Sequence, residues 1–191
     1  MKKFLVALIV VLLLSMNNIT SAEKFSDSQL KAILNDFATT SVEKSLPITF
    51  EQFKETFNSN MLNSFESSKR NEIPEDVLNA ILLNNVKLER VEKDNLFVKP
   101  FIAGEVALLG MSDVSTNKMK KLTFFFVEPQ TENDKTFNGL VMLCLLKSVL
   151  PNADVNILAN ELANEKVVVH EGVKLELGRD SQIFILTITA A

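Results

Sequence analysis

The stretch Val86–Glu128, VKLERVEKDNLFVKPFIAGEVALLGMSDVSTNKMKKLTFFFVE, decides the fold class. Its β-favouring residues fall into the runs VKLERVE, LFVKPFI, EVALLGMSDVS and KMKKLTFFFVE, with KDN, AG and TNK as turn-like interruptions. Parallel neighbours need a crossover of about a dozen residues or more, so connections this short predict an antiparallel meander of about four strands. Pro100 has no N–H to give to a ladder, which places the second strand at an edge or a bulge there. Lys118, Lys120 and Lys121 flank the apolar LTFFFVE run and read as charges that protect an exposed sheet edge from strand addition.

Toward the C-terminus, EPQTENDK (Glu128–Lys135) reads as a polar, acidic loop. Phe137–Pro151, FNGLVMLCLLKSVLP, is apolar at nearly every angle around a helix, and a helix of that kind is predicted to lie buried between layers. Its Cys144 then behaves as a small buried hydrophobe with little thiolate character. Asn152 is placed to cap a further helix with apolar positions Val155, Leu158, Ala159, Leu162 and Ala163. KVVVHEG, VKLELG and SQIFILTIT are three more strands, with tight turns expected at Glu171-Gly172 and Arg179-Asp180.

Toward the N-terminus, Ser26 and Gln29 form a capping box for a helix over about Asp27–Glu43, with Leu30, Ile33, Leu34, Phe37 and Ala38 at helical spacing. Pro47 separates it from a second helix, opened by Thr49 with Gln52, whose stripe is Phe50, Phe53, Phe57, Met61 and Phe65. ESSKRNEIPED reads as a loop, and Pro74 suits the first turn of a short helix reaching Leu83. The order is helices, strands, helices, strands. That order predicts an α+β fold with antiparallel sheet(s) of about seven strands packed against helices. Either all the strands share one sheet, or two similar halves meet near Thr131.

Residues 1–22 have the three parts of a secretory signal peptide: Lys2 and Lys3, an apolar run Phe4–Leu14, and small residues ending at Ala22. The apolar run is too short to span a bilayer, as is Gly139–Leu146. The expectation is a single α+β domain over residues 23–191, periplasmic or secreted, with no membrane span after cleavage.

Composition narrows the function. The net charge is −4, and it becomes more negative once Lys2 and Lys3 are removed, which disfavours nucleic acid as a partner. One cysteine and one histidine form neither an internal disulfide nor a zinc site. The acidic loop lacks the spacing and glycine of an EF-hand. Ser41-Val42-Glu43-Lys44 and Ser115-Thr116-Asn117-Lys118 match S-x-x-K without the companion S-D-N and K-T-G elements. His170 closes a strand and reads as a solvent-facing side chain. No cofactor is expected.

The expected class is an exported, non-enzymatic binding or interaction module whose ligand is a protein partner or an apolar small molecule. Its candidate surface is the stripe Phe50, Phe53, Phe57, Met61 and Phe65, for which core packing is the competing reading. The alternative is a secreted hydrolase with a carboxylate pair drawn from the 24 acidic residues.

Overall fold

The computed structural model describes residue 37 and residues 42–65, 73–101, 106–180 and 183–191. The stretch read as a signal peptide and nearly all of the helix expected over Asp27–Glu43 lie outside these residues; Phe37 is helical, whereas Val42 and Glu43 are not. The described elements are α1 (Phe50–Asn63), α2 (Glu75–Ile81), β1 (Glu89–Val91), β2 (Asp94–Pro100), β3 (Val106–Asp113), β4 (Met119–Val127), α3 (Glu132–Val149), α4 (Val155–Glu165), β5 (Val167–His170), β6 (Val173–Asp180) and β7 (Ile183–Ala190). This is the α+β order that the sequence predicts.

All seven strands form one antiparallel sheet in the order β1-β2-β3-β4-β7-β6-β5. The first four make a meander, as expected. The last three then run back toward it, so that β7 pairs with β4 from Lys121↔Thr189 to Val127↔Ile183. Of the two arrangements considered, the single sheet is found.

Side chains alternate across the pleat, so each strand feeds two faces. On the helix-bearing face, Phe97, Val106, Leu108, Leu122, Phe124, Leu175, Leu186 and Ile188 pack against the apolar sides of α1, α3 and α4. On the opposite face, Leu96, Ala107, Leu109, Met111 and Phe125 form a smaller cluster with Phe37. Helix α1 starts at the predicted capping box, Thr49 N–H donating to Gln52 Oε1 at 3.0 Å and Gln52 N–H to Thr49 Oγ1 at 3.3 Å. Before it, Leu46–Phe50 runs beside Asn117–Met119, with Leu46 N–H donating to Met119 O (2.7 Å) and Met119 N–H to Ile48 O (2.9 Å).

Several boundaries differ from expectation for local reasons. Glu128–Lys135 is not all loop: Thr131 and Asp134 form a capping box that starts α3 at Glu132. Asp154, not Asn152, caps α4, accepting from the N–H groups of Asn156 and Ile157. Pro74 is the N-cap of α2 and stands outside its first turn. Arg179 and Asp180 belong to β6, and their connection to β7 lies outside the described residues. The β1–β2 turn sits at Glu92-Lys93, with Glu92 at φ 54°. From Asn138 on, helix α3 is exposed only along one narrow stripe through Gly139, Leu143 and Lys147, each spaced one turn apart.

Candidate interaction surface

The phenylalanine stripe does not form a surface. Phe50, Phe53, Phe57, Met61 and Phe65 are all buried, and they belong to the main core cluster. Phe50 meets Phe97 at 5.1 Å between ring centroids and Phe57 meets Phe101 at 5.9 Å, so the stripe is the seam between α1 and the sheet. This corrects the reading of those five residues as a docking face. The physical reason is that α3 and the sheet together cover the side of α1 that carries them.

The lysine cluster also has a different role. β4 lies between β3 and β7, so Lys118, Lys120 and Lys121 protect no edge. A register shift pairs Met111 with Lys121 and Ser112 with Met119, leaving Lys120 as the extra residue of a β-bulge. The bulge lets Lys120 reach over β3, where its Nζ stands 2.7 Å from Asp94 Oδ1 with only 5% of the residue exposed. Lys121 Nζ lies 4.5 Å from the centroid of the Phe37 ring, a cation–π contact, and Lys118 forms an isolated bridge with Thr49.

Several of the described carboxylates are engaged in structure. Asp94 and Asp113 are register partners on β2 and β3, but each already has its own donors. Asp113 accepts from the hydroxyls and N–H groups of Ser115 and Thr116, with the Ser115 hydroxyl the leading influence, and its carboxyl is held down to about 2. Glu128 pairs with Arg179 at 2.7 Å. Among the described residues no group of three or more His, Cys, Asp or Glu stands close enough to hold a metal ion. His170 is solvent-facing at the end of β5, 4.0 Å from Glu171 Oε1. Cys144 is buried, and burial pushes its thiol up to about 12.

A cleft of about 380 Å³ opens between the start of α1, the end of α3 and the β5–β6 turn. Its lining mixes Ile48, Val149 and Leu150 with Gln52, Thr56 and Glu171. A second hollow of about 310 Å³ lies beside Leu96–Val98, where β1 has already ended and β2 continues without it. Pro100 sits in that unpaired part of β2, as its missing N–H requires. On the inner side of the same strand, Lys99 Nζ donates to Asn79 O at 2.6 Å, satisfying a carbonyl of the last turn of α2.

The two edges of the sheet are unlike. β1 is three residues long and carries Glu89 and Arg90, charges that discourage a further strand. β5 reads Val167-Val168-Val169-His170, with Val168 turned into the core and Val167 and Val169 44% and 60% exposed. It has no charged residue, proline or bulge. The edge is built by two reversals. Lys166, left-handed at φ 64°, ends α4, and Leu177 N–H donates to Lys166 O at 2.7 Å. At the other end, Glu171 (φ 48°) and Gly172 (φ 78°) form a two-residue turn of the kind that needs positive φ at both positions.

That turn bonds His170 to Val173, and the alternation of an antiparallel ladder then directs His170, Val168 and Lys166 toward β6. The N–H and C=O groups of Val167 and Val169 therefore point away from the sheet. Among the described residues nothing pairs with them across that edge. Of the exposed large apolar side chains, Ile157, Val167 and Val169 belong to β5 and to α4, the helix packed on it. Sequence reasoning placed β5 but could not show that it was an edge. The only signal was the run of three valines with no gatekeeper residue inside it.

Comparison of the chain with protein-family models, with curated proteins and with solved structures finds no match. No helix among the described residues is long and apolar enough to cross a membrane.

Proposed function

We propose that the protein is an interaction module, exported under its N-terminal leader, that binds a polypeptide partner by strand addition at the open edge of β5. The observation that carries this reading is the pair Val167 and Val169, whose side chains are exposed and whose backbone groups face outward on an edge without charge or proline. Main-chain hydrogen bonds would supply affinity, and alternate side chains of the added strand would meet the two valines on one face. The mixed lining of the cleft beside Gln52 and Glu171 selects no apolar ligand, so the protein partner is preferred to the small molecule.

Amide exchange tests this at residue resolution. In dilute protein the Val167 and Val169 amides should exchange fast, whereas Val168 and His170 should be protected by their bonds to β6. A synthetic extended peptide alternating valine and threonine should protect Val167 and Val169 and leave the β1 edge unchanged. Protection appearing only at other sites, or none at any peptide concentration, would refute strand addition at β5.

A further inference from the structure

We infer that the strand added at β5 is the β5 of a second copy of this chain, related by a two-fold axis through Val168; this rests on the strand-addition reading above. In an antiparallel pair that extends the sheet with the same face outward, opposed residues must share a face, so odd-numbered residues oppose odd-numbered ones. They must also expose their hydrogen-bonding groups toward each other, and on β5 those are Val167 and Val169. Three two-fold registers meet both conditions, with the axis at Val167, Val168 or Val169.

The number of hydrogen-bonded valine pairs decides among them, two with the axis at Val168 against one with it at Val167 or Val169. The screened charges of the neighbouring strand, where Lys174 also pairs with Glu176 at 3.1 Å, favour the same register. On the outer face Val167 stands opposite Glu176 and Val169 opposite Lys174. With the axis at Val169, the row across the junction runs Lys174, Val169, Val169, Lys174, and like charges flank it. With the axis at Val167 the row runs Glu176, Val167, Val167, Glu176, with the same fault. With the axis at Val168 each row runs Lys174, Val169, Val167, Glu176. Opposite charges then close both rows, and all four valines meet in two cross-strand pairs joined by reciprocal N–H to C=O bonds. The edge is self-complementary in hydrogen bonding, in apolar contact and in charge at one register, as an isologous interface requires.

The register fixes the test. The two copies of residue 168 face each other as a non-hydrogen-bonded pair, whose Cα separation of about 4.5 Å suits a disulfide. Purified Val168→Cys should give a disulfide-linked dimer on mild oxidation, and Val167→Cys, whose copies stand a diagonal apart, should not. Native Cys144 is buried and gives no background. Independently of any cysteine, sedimentation of the unmodified protein should show a reversible dimer, weakened at least about tenfold by Val169→Lys. A dimer that neither cross-links in the Val168→Cys variant nor responds to Val169→Lys would overturn the inference. A protein that stays monomeric while the valine–threonine peptide still protects Val167 and Val169 would overturn the second copy and keep strand addition. Failure of both would remove both.

Discussion

The Phe97 ring covers Gly110, its register partner on β3, so closely that a Cβ on Gly110 would stand 2.0 Å from Phe97 Cε1. The ring fills the place of the missing side chain and in turn contacts Phe50 of α1. This one glycine thus permits the contact by which the buried stripe of α1 grips the sheet.

Gly110→Ala should therefore force the Phe97 ring off its site and destabilise the protein by about 1–3 kcal/mol, the usual cost of overpacking. Urea unfolding would measure it. Phe97→Leu in the same chain should return part of the loss, because it removes the atoms that clash. Additive effects of the two substitutions would show that the ring and the glycine are not coupled.

Asp113 predicts a local acid sensitivity. Its carboxyl is held at about 2 by the Ser115 and Thr116 donors, below its ordinary value near 3.8. A lowered carboxylate contributes stability above the unfolded pKa and loses it as pH falls through the folded one. The β3–β4 turn should loosen between about pH 4 and 2, and Asp113→Asn should flatten that dependence. Amide shifts of Ser115 and Thr116 followed through the titration would report it; identical profiles for both proteins would count against the assignment.

The parts of this fold legible in the sequence are those set by neighbours along the chain. Thr49 with Gln52, the period of Phe50–Met61 and the Glu171-Gly172 turn each depend on residues within a few positions, and each is found as read. The start of α3 is equally local, but its box uses Asp134 in place of the commoner Glu or Gln. What the sequence hides is strand order. β4 reads as an edge because nothing nearby can pair with its second side, and the partner, β7, comes from the far end of the chain. The same gap conceals the bulge at Lys120, its reach to Asp94, and the status of β5 as the open edge.

Lys120→Met follows from that hidden bulge. The substitution keeps much of the stem but leaves Asp94, whose side chain is 17% exposed, without its cation. The expected loss is about 1–3 kcal/mol, from a largely buried carboxylate deprived of its partner. Asp94→Asn added to Lys120→Met should recover a measurable part, since an amide costs less to bury than a charge. If the single and double variants unfold at the same denaturant concentration, the pair makes no such contribution.

Cys144 provides a probe of α3 at alkaline pH. Burial pushes its thiol up to about 12 from an ordinary 9, with Lys147 opposing weakly. A folded pKa raised above the unfolded one gives stability that is fully present below the unfolded value and is lost as pH rises toward the folded one. The native protein should therefore weaken between about pH 9 and 12, by up to roughly 1.4 kcal/mol per pH unit from this group. The chain contains no tyrosine, so lysines are the other side chains titrating across that window. The difference between the original protein and Cys144→Ala, measured by denaturant unfolding at each pH, isolates the thiol. The original protein should lose more stability on going from pH 9 to 11, and below that window its Cys144 should react with a thiol reagent only at the rate of unfolding. Fast labelling of the folded protein at neutral pH would place the thiol, and with it this side of α3, at the surface.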